Sequence, residues 1–368
     1  MSRHGLGKSI NQKMYIHIIM KISWIKLTLF FLVVSLFLLA GLIVNSDVFI
    51  DREAAKTFPG FEFQGEYTGQ LDLNGDGVKQ DASLQAAIYG ENRIRGLFIT
   101  DRLPGDTERT IRGDQMHTVR GNALGGGLML SGAYPLRFIY DSGRFNAIDE
   151  EGNSRGYLER TVRESPTIGM RPPQDAVVLF DGSSLDHWDE NTRMTDDGLL
   201  IQGARTASDY GDIHLHVEAK LGFMPNSASQ GRSNSGIYIQ NRYELQIIDS
   251  FGLVPHISGN GSLYNESAPR VNKSLPPLTW QTYDVYFRAP RFDEAGNKTE
   301  NARITAYLNG ILVQDDVELE RGTGAGGQRE EVAKAELYLQ DHTGPVRFRN
   351  VWLVEGEVTP PGTTFLEP

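Results

Sequence analysis

The segment NSGIYIQNRYELQIIDS, residues 234–250, carries two β-forming runs around a short break. In the second run Tyr243, Leu245 and Ile247 alternate with Glu244, Gln246 and Ile248. A two-residue turn at Asn241 and Arg242 pairs Ile239 with Glu244, Ile237 with Gln246 and Asn234 with Asp249. Strand alternation puts Glu244 and Gln246 on one face and turns Asp249 to the other, at the strand end. A carboxylate and an amide two residues apart suit sugar recognition. Both accept hydrogen bonds from vicinal hydroxyls, the amide also donates, and the carboxylate can serve as a base. A half-solvated sheet shows the same alternation, so this strand alone leaves both readings open.

The rest of the chain repeats the strand signal. FEFQGEYTGQLDL, ASLQAAIYG, IRGLFIT, LRFIYD and GYLERTV are alternating or aromatic-rich runs between turns such as NGDG and DSG. They predict a small all-β domain over 58–164. ESPTIGMRPPQDA is Pro-rich and aperiodic, and residues 165–175 read as a linker. Strands and turns resume over 176–357 in GLLIQG, DIHLHVEAKLGF, TYDVYFRAP, AELYLQD and VRFRNVWLVEG. YLNGILV predicts a hairpin, with Asn309 and Gly310 supplying positive φ. Without helices, a unit of this size is expected to be an all-β sandwich or jelly roll. Arg321–Glu331, RGTGAGGQREE, is expected to be a mobile loop.

The net charge of −11 argues against nucleic-acid binding, which needs a basic face. It gives no reason to expect the globular part on anionic membranes. Cysteine is absent, which excludes disulfides, thiol nucleophiles and Cys-based zinc sites. The run Leu27–Val44 is uncharged and approaches a membrane span of roughly 20 residues. Five cations precede it, and Asp47 and Asp51 follow. Residues 1–46 are therefore expected to form an N-terminal hydrophobic helix, either a signal peptide or a membrane anchor. The globular part is then exported, periplasmic or extracytoplasmic, touching the membrane through that segment only.

Several patterns invite a site. DLNGDGVKQDAS, Asp72–Ser83, imitates a calcium loop but has Ser83 where a bidentate Glu is required, so a hairpin turn is expected. His214, His216 and Glu218 line one strand face; a polar outer face is expected there, since metal sites need ligands converging from several segments. LYLQDHTGPVRFRNVWL, Leu337–Leu353, puts Gln340 and His342 on one face and returns through Arg347 and Arg349. His342 could titrate near neutrality, and Arg349 could hold a hydroxyl pair or an acidic neighbour. No H-E-x-x-H occurs, so a zincin is not supported.

VVLFDGSSLDHW, NSGIYIQ, YELQIID, WQTYDV, YLNGILV and LQDHTGPVRFRNVWL also stand in the order and spacing of the 3-keto-disaccharide hydrolase family. The resemblance covers about Ala176 to Glu357. It implies a concanavalin-like jelly roll whose concave sheet holds sugar, and cleavage of glycosides oxidised to a ketone at sugar carbon 3. The ketone acidifies the hydrogen on carbon 2. A base removes it, the group on carbon 1 leaves, and water adds to the enone. By resemblance, Glu244, Gln246 and Asp249 fall on the family's E-x-Q-I-x-D strand, Asn234 on its N-S-G-I turn, and Gln340, His342 and Arg349 on its final strands. Glu244, His342 and Asp249 are the expected catalytic set, with Glu244 or His342 as base. Asn234, Gln246, Gln340 and Arg349 are the expected substrate binders. Gln240 stands where such sequences often have Arg. A carbohydrate substrate is expected and no cofactor, with a divalent metal left open. The alternative is a non-catalytic, lectin-like module on the same scaffold.

Overall fold

Eight strands between Gly65 and Thr161 close on themselves in a computed structural model of the chain. The structure describes residues 47–362 apart from positions 92, 107–110, 125–126, 325, 327–328 and 358. The expected N-terminal hydrophobic helix lies outside the described residues. No described helix is long and apolar enough to cross a membrane.

The closed set is β1 (Gly65–Leu71), β2 (Gln80–Ile88), β3 (Arg93–Ile99), β4 (Met116–Leu124), β5 (Gly127–Gly132), β6 (Arg137–Asp141), β7 (Arg144–Ile148) and β8 (Ser154–Thr161). Each pairs antiparallel with the next, and β8 returns to β1 with Leu158 opposite Gly69. Closure removes both sheet edges. Tyr67, Leu84, Phe98, Phe138, Phe145 and Leu158 fill the interior, so the barrel is a packed core rather than a ligand cup. The β1–β2 turn consumes the carboxylate of Asp72. Gly75, Asp76 and Gly77 donate backbone N–H to it at 2.7, 3.1 and 3.1 Å. The segment forms the expected hairpin turn between β1 and β2, capped by that carboxylate.

The sandwich comprises β9 (Val177–Phe180), β10 (Leu200–Ile201), β11 (Ala204–Arg205), β12 (Ile213–Leu221), β13 (Asn234–Ile239), β14 (Tyr243–Ile248), β15 (Trp280–Arg288), β16 (Arg291–Phe292), β17 (Lys298–Glu300), β18 (Ala302–Leu308), β19 (Ile311–Leu319), β20 (Tyr338–Leu339) and β21 (Val346–Glu355). A seven-stranded sheet runs β10-β21-β12-β15-β18-β19, with β9 also on β21. A four-stranded sheet runs β11-β20-β13-β14. Leu215 and Val217 of the large sheet share one core with Ile237, Ile239, Tyr243 and Leu245 of the small sheet. The two sheets therefore pack as the layers of a β-sandwich. Asn309 (φ 51°) and Gly310 (φ 74°) form the predicted tight turn between Leu308 and Ile311.

The β13–β14 hairpin departs from the expected register by one residue. Ile239 faces Tyr243, Ile237 faces Leu245, and Tyr238 faces Glu244, which leaves a three-residue loop at 240–242. Directly opposed residues share a face, so the two-residue turn would have forced Ile239 beside Glu244. The observed register keeps the apolar residues on the core side. Gln240 and Asn241 absorb the difference in left-handed conformations (φ 52° and 48°).

Residues 165–170 are ordered across the outer face of the large sheet. Gly169 donates its N–H to Glu218 Oε1 at 2.5 Å, and Thr167 Oγ1 donates to Asp284 Oδ2 at 3.1 Å. Asn350 Nδ2 donates to the Met170 carbonyl at 3.0 Å. Beneath them His216 Nδ1 lies 2.6 Å from Asp284 and its Nε2 3.7 Å from Glu218. Burial opposes charge on this ring, but the two carboxylates outweigh it and hold its pKa up at about 9. The row of His214, His216 and Glu218 thus lies on the outward face of β12, roofed by the linker.

Candidate functional site

The outward face of the small sheet gathers Asn234, Gly236 and Tyr238 from β13, Glu244 and Gln246 from β14, and Gln340 just past β20. Alternation alone puts them there, because Ile237, Ile239, Tyr243, Leu245 and Leu339 take the core side. Glu244 is 3% exposed. Its Oε2 accepts the Tyr238 hydroxyl at 2.7 Å. Burial pushes its carboxyl up to about 7, against the smaller opposing effect of that hydrogen bond. Burial also raises the Tyr238 hydroxyl, which therefore stays a donor at neutral pH.

The carboxylate lies over Gly236. A Cβ at that position would stand 2.5 Å from Glu244 Oε1 and 2.9 Å from its Cγ. Glycine is required here for space rather than for backbone freedom. Gly236→Ala is expected to push the carboxylate off Tyr238 at a cost of about 1–3 kcal/mol, seen as a lower thermal midpoint. An unchanged midpoint would mean that the carboxylate has room elsewhere.

Gln340 donates its backbone N–H to the Gly236 carbonyl at 2.9 Å, and its Nε2 is 3.5 Å from the Tyr238 hydroxyl. Asn234 and Gln246 both donate to Gln230 Oε1, at 3.0 and 3.3 Å. Three buried amide oxygens, Asn234 Oδ1, Gln246 Oε1 and Gln340 Oε1, have no donor. Such atoms call for a ligand or water to satisfy them.

Thr323 packs against the same strand. Its hydroxyl oxygen accepts the Glu244 N–H at 2.6 Å, and its own N–H reaches the Arg242 carbonyl. At Thr323, then, the loop expected to be mobile is buried and fastened to β14.

Of the seven expected site residues, Glu244, Gln246, Asn234 and Gln340 share this face. His342 is exposed at its margin, with Nδ1 2.9 Å from Thr343 Oγ1. The Thr343 carbonyl accepts the Asn234 N–H, four residues along β13 from Tyr238. That puts His342 about 13 Å along the strand from the Glu244 level. Asp249 and Arg349 are not brought to this face. Asp249 turns away, as alternation requires, and pairs with buried Arg232. Arg349 sits on the large sheet, bonding Glu218 at 2.7 Å and stacking 4.1 Å over Trp280. The chain changes sheets at Thr343–Pro345, so β20 and β21 belong to different layers. Tyr238 and Gln230 join the face without having been singled out in the sequence. The corrected hairpin register would have exposed Tyr238; Gln230 lies in a loop without periodic signal. Among the described residues no three His, Asp or Glu side chains converge as metal ligands.

Residues 175–354 match the family model of the 3-keto-alpha-glucoside-1,2-lyase-like domain. The chain carries a domain of this family. That domain is the sandwich, with Glu244 and its amide neighbours on the small sheet. Its coarse consequence is a glycosyl hydrolase-like domain. Two crystal structures from Parabacteroides distasonis ATCC 8503, each titled "a putative glycosyl hydrolase", are similar to the chain. One is 29% identical over 50% of this chain and 85% of its own, with a TM-score of 0.46. The other is 18% identical over 50% of this chain and 94% of its own, with a TM-score of 0.37. Comparison with curated proteins gave no match.

Proposed function

We propose that the sandwich cleaves 3-keto glycosides, with Glu244 as the base that removes the proton on sugar carbon 2. The observation that carries this reading is a buried carboxylate held near pKa 7, bordered by three amide oxygens that lack donors. A base tuned to the working pH is what C2–H abstraction beside a ketone needs.

The C2–H electron pair moves into an enediolate as Glu244 takes the proton. Collapse of the enediolate expels the group on carbon 1, and the broken C1–O bond leaves its electrons on the departing oxygen. Where the C2–H and C1–O bonds lie on one face, the protonated Glu244 carboxyl can return its proton to that oxygen. This elimination is the lyase half of the reaction. Water then adds to carbon 1 and a proton to carbon 2, completing net hydrolysis. The Tyr238 hydroxyl spends its one proton on orienting the carboxylate, and the Gln340 side-chain NH₂ is the donor on this face for the developing oxyanion. Asn234 and Gln246 accept from sugar hydroxyls. The uncharged run Leu27–Val44 supports an exported, extracytoplasmic protein, anchored or released by that segment.

The test is incubation with a 3-keto glucoside and with its unoxidised parent. Aglycone is expected from the first alone. Binding without release from either would instead favour the lectin-like module.

A further inference from the structure

Gln230 lies in the loop before β13, outside every strand motif. Its hydrogen bonds nonetheless decide which way two site amides face. The Ser258 backbone carbonyl can only accept, and it stands 3.1 Å from Gln230 Nε2. Gln230 must therefore turn its amide nitrogen to Ser258 and its Oε1 to the site. That oxygen in turn can only accept, so the groups 3.0 and 3.3 Å away must be the NH₂ groups of Asn234 and Gln246. Their oxygens are thereby left without a protein donor. Asn234 is fixed a second time, because its Nδ2 also donates to the Gln230 backbone carbonyl at 3.1 Å. The Gln246 side chain has no such second anchor, and its orientation hangs on Gln230 Oε1.

We infer that Gln230 is a positioning residue that sets the hydrogen-bond polarity of the sugar site. It presents Asn234 Oδ1 and Gln246 Oε1 as acceptors, so the site takes a neutral sugar that offers hydroxyl donors. A sugar carboxylate or phosphate in the same place would meet oxygens that cannot donate. This rests on the reading of the face as a glycoside site, and it deepens that reading by naming the ligand's polarity.

Two variants separate the role from simple packing. Gln230→Met keeps the length and removes the acceptor. Gln230→Glu keeps an acceptor for both amides, but it loses the bond to Ser258 and sets a carboxylate oxygen against that carbonyl. For a 3-keto glucoside, Q230M is expected to raise KM about tenfold with kcat changed less than about threefold, the scale of one lost hydrogen bond. Q230E is expected to raise KM less than Q230M does, because both amides keep their acceptor. Gln246→Ala should match Q230M, and the Q230M/Q246A double variant should be no worse than Q246A alone. Wild-type KM in Q230M, or equal losses in Q230M and Q230E, would overturn the inference. Calorimetric binding of the keto glucoside and of its parent is measured alongside turnover. If the wild type binds a glycoside without cleaving it, the proposed reaction fails, and the Gln230 inference is judged on the same ratios of dissociation constants. If the wild type binds neither, the inference falls as well.

Discussion

Glu244→Gln is expected to lower kcat on a 3-keto glucoside by about 10²–10⁴-fold, the range for loss of a positioned general base. Substrate binding should change little, because glutamine keeps the shape and can still accept from Tyr238. The wild-type enzyme should show an acidic limb in kcat/KM near pH 7, where the buried carboxyl loses its proton. The residual activity of the variant should lack that limb. A limb that persists in E244Q would assign the base elsewhere, with His342 at the margin as first candidate.

The same substitution should make the protein more stable at neutral pH. The folded carboxyl ionises near 7 and an unfolded one near 4.5. Between those values the folded state binds more protons, so stability falls as pH rises through the window. The loss is on the order of 3 kcal/mol by pH 8. Glutamine does not titrate, so E244Q should show a higher thermal midpoint than the wild type at pH 8 and a smaller difference at pH 5. Loss of activity together with gain of stability is what a strained functional group predicts and a structural one does not.

The sequence made the strands legible because each sheet buries one face, and alternation then marks every second residue. It also grouped Glu244 with Gln246, since that relation needs only a period of two. Relations that depend on partners distant in the chain were hidden. Barrel closure joins β1 to β8, and nothing local in GEYTGQL announces SRGYLERT as its neighbour. Arg349 was drawn into the site because its motif follows Gln340 and His342 directly. Within a few residues, however, the chain crosses from one layer to the other. The hairpin register was readable in principle: pairing Ile239 with Glu244 conflicts with the apolar alternation, and that conflict excludes a two-residue turn. Had it been resolved, Tyr238 would have appeared opposite Glu244.

Asp249 shows where a motif position and a physical role part company. Arg232, 1% exposed, donates to it through Nε at 3.0 Å and through Nη2. The guanidinium also reaches the Ile88 carbonyl at the end of β2 and lies 4.3 Å over the Tyr89 ring. One buried cation thus joins the β14 end to the barrel. Arg232→Met should cost about 3–5 kcal/mol, because it leaves a buried carboxylate without its partner. Asp249→Asn should be destabilising for the mirrored reason. A double variant, Arg232→Met with Asp249→Leu, replaces the pair with apolar volume and should recover most of the loss. Thermal midpoints of the three variants test the coupling, and kcat of the double variant tests the role. If Asp249 acts in catalysis, the double variant is stable and inactive. If Asp249 holds the barrel to the sandwich, the double variant keeps kcat within about threefold of the wild type, since Glu244 and its amide neighbours face the other way.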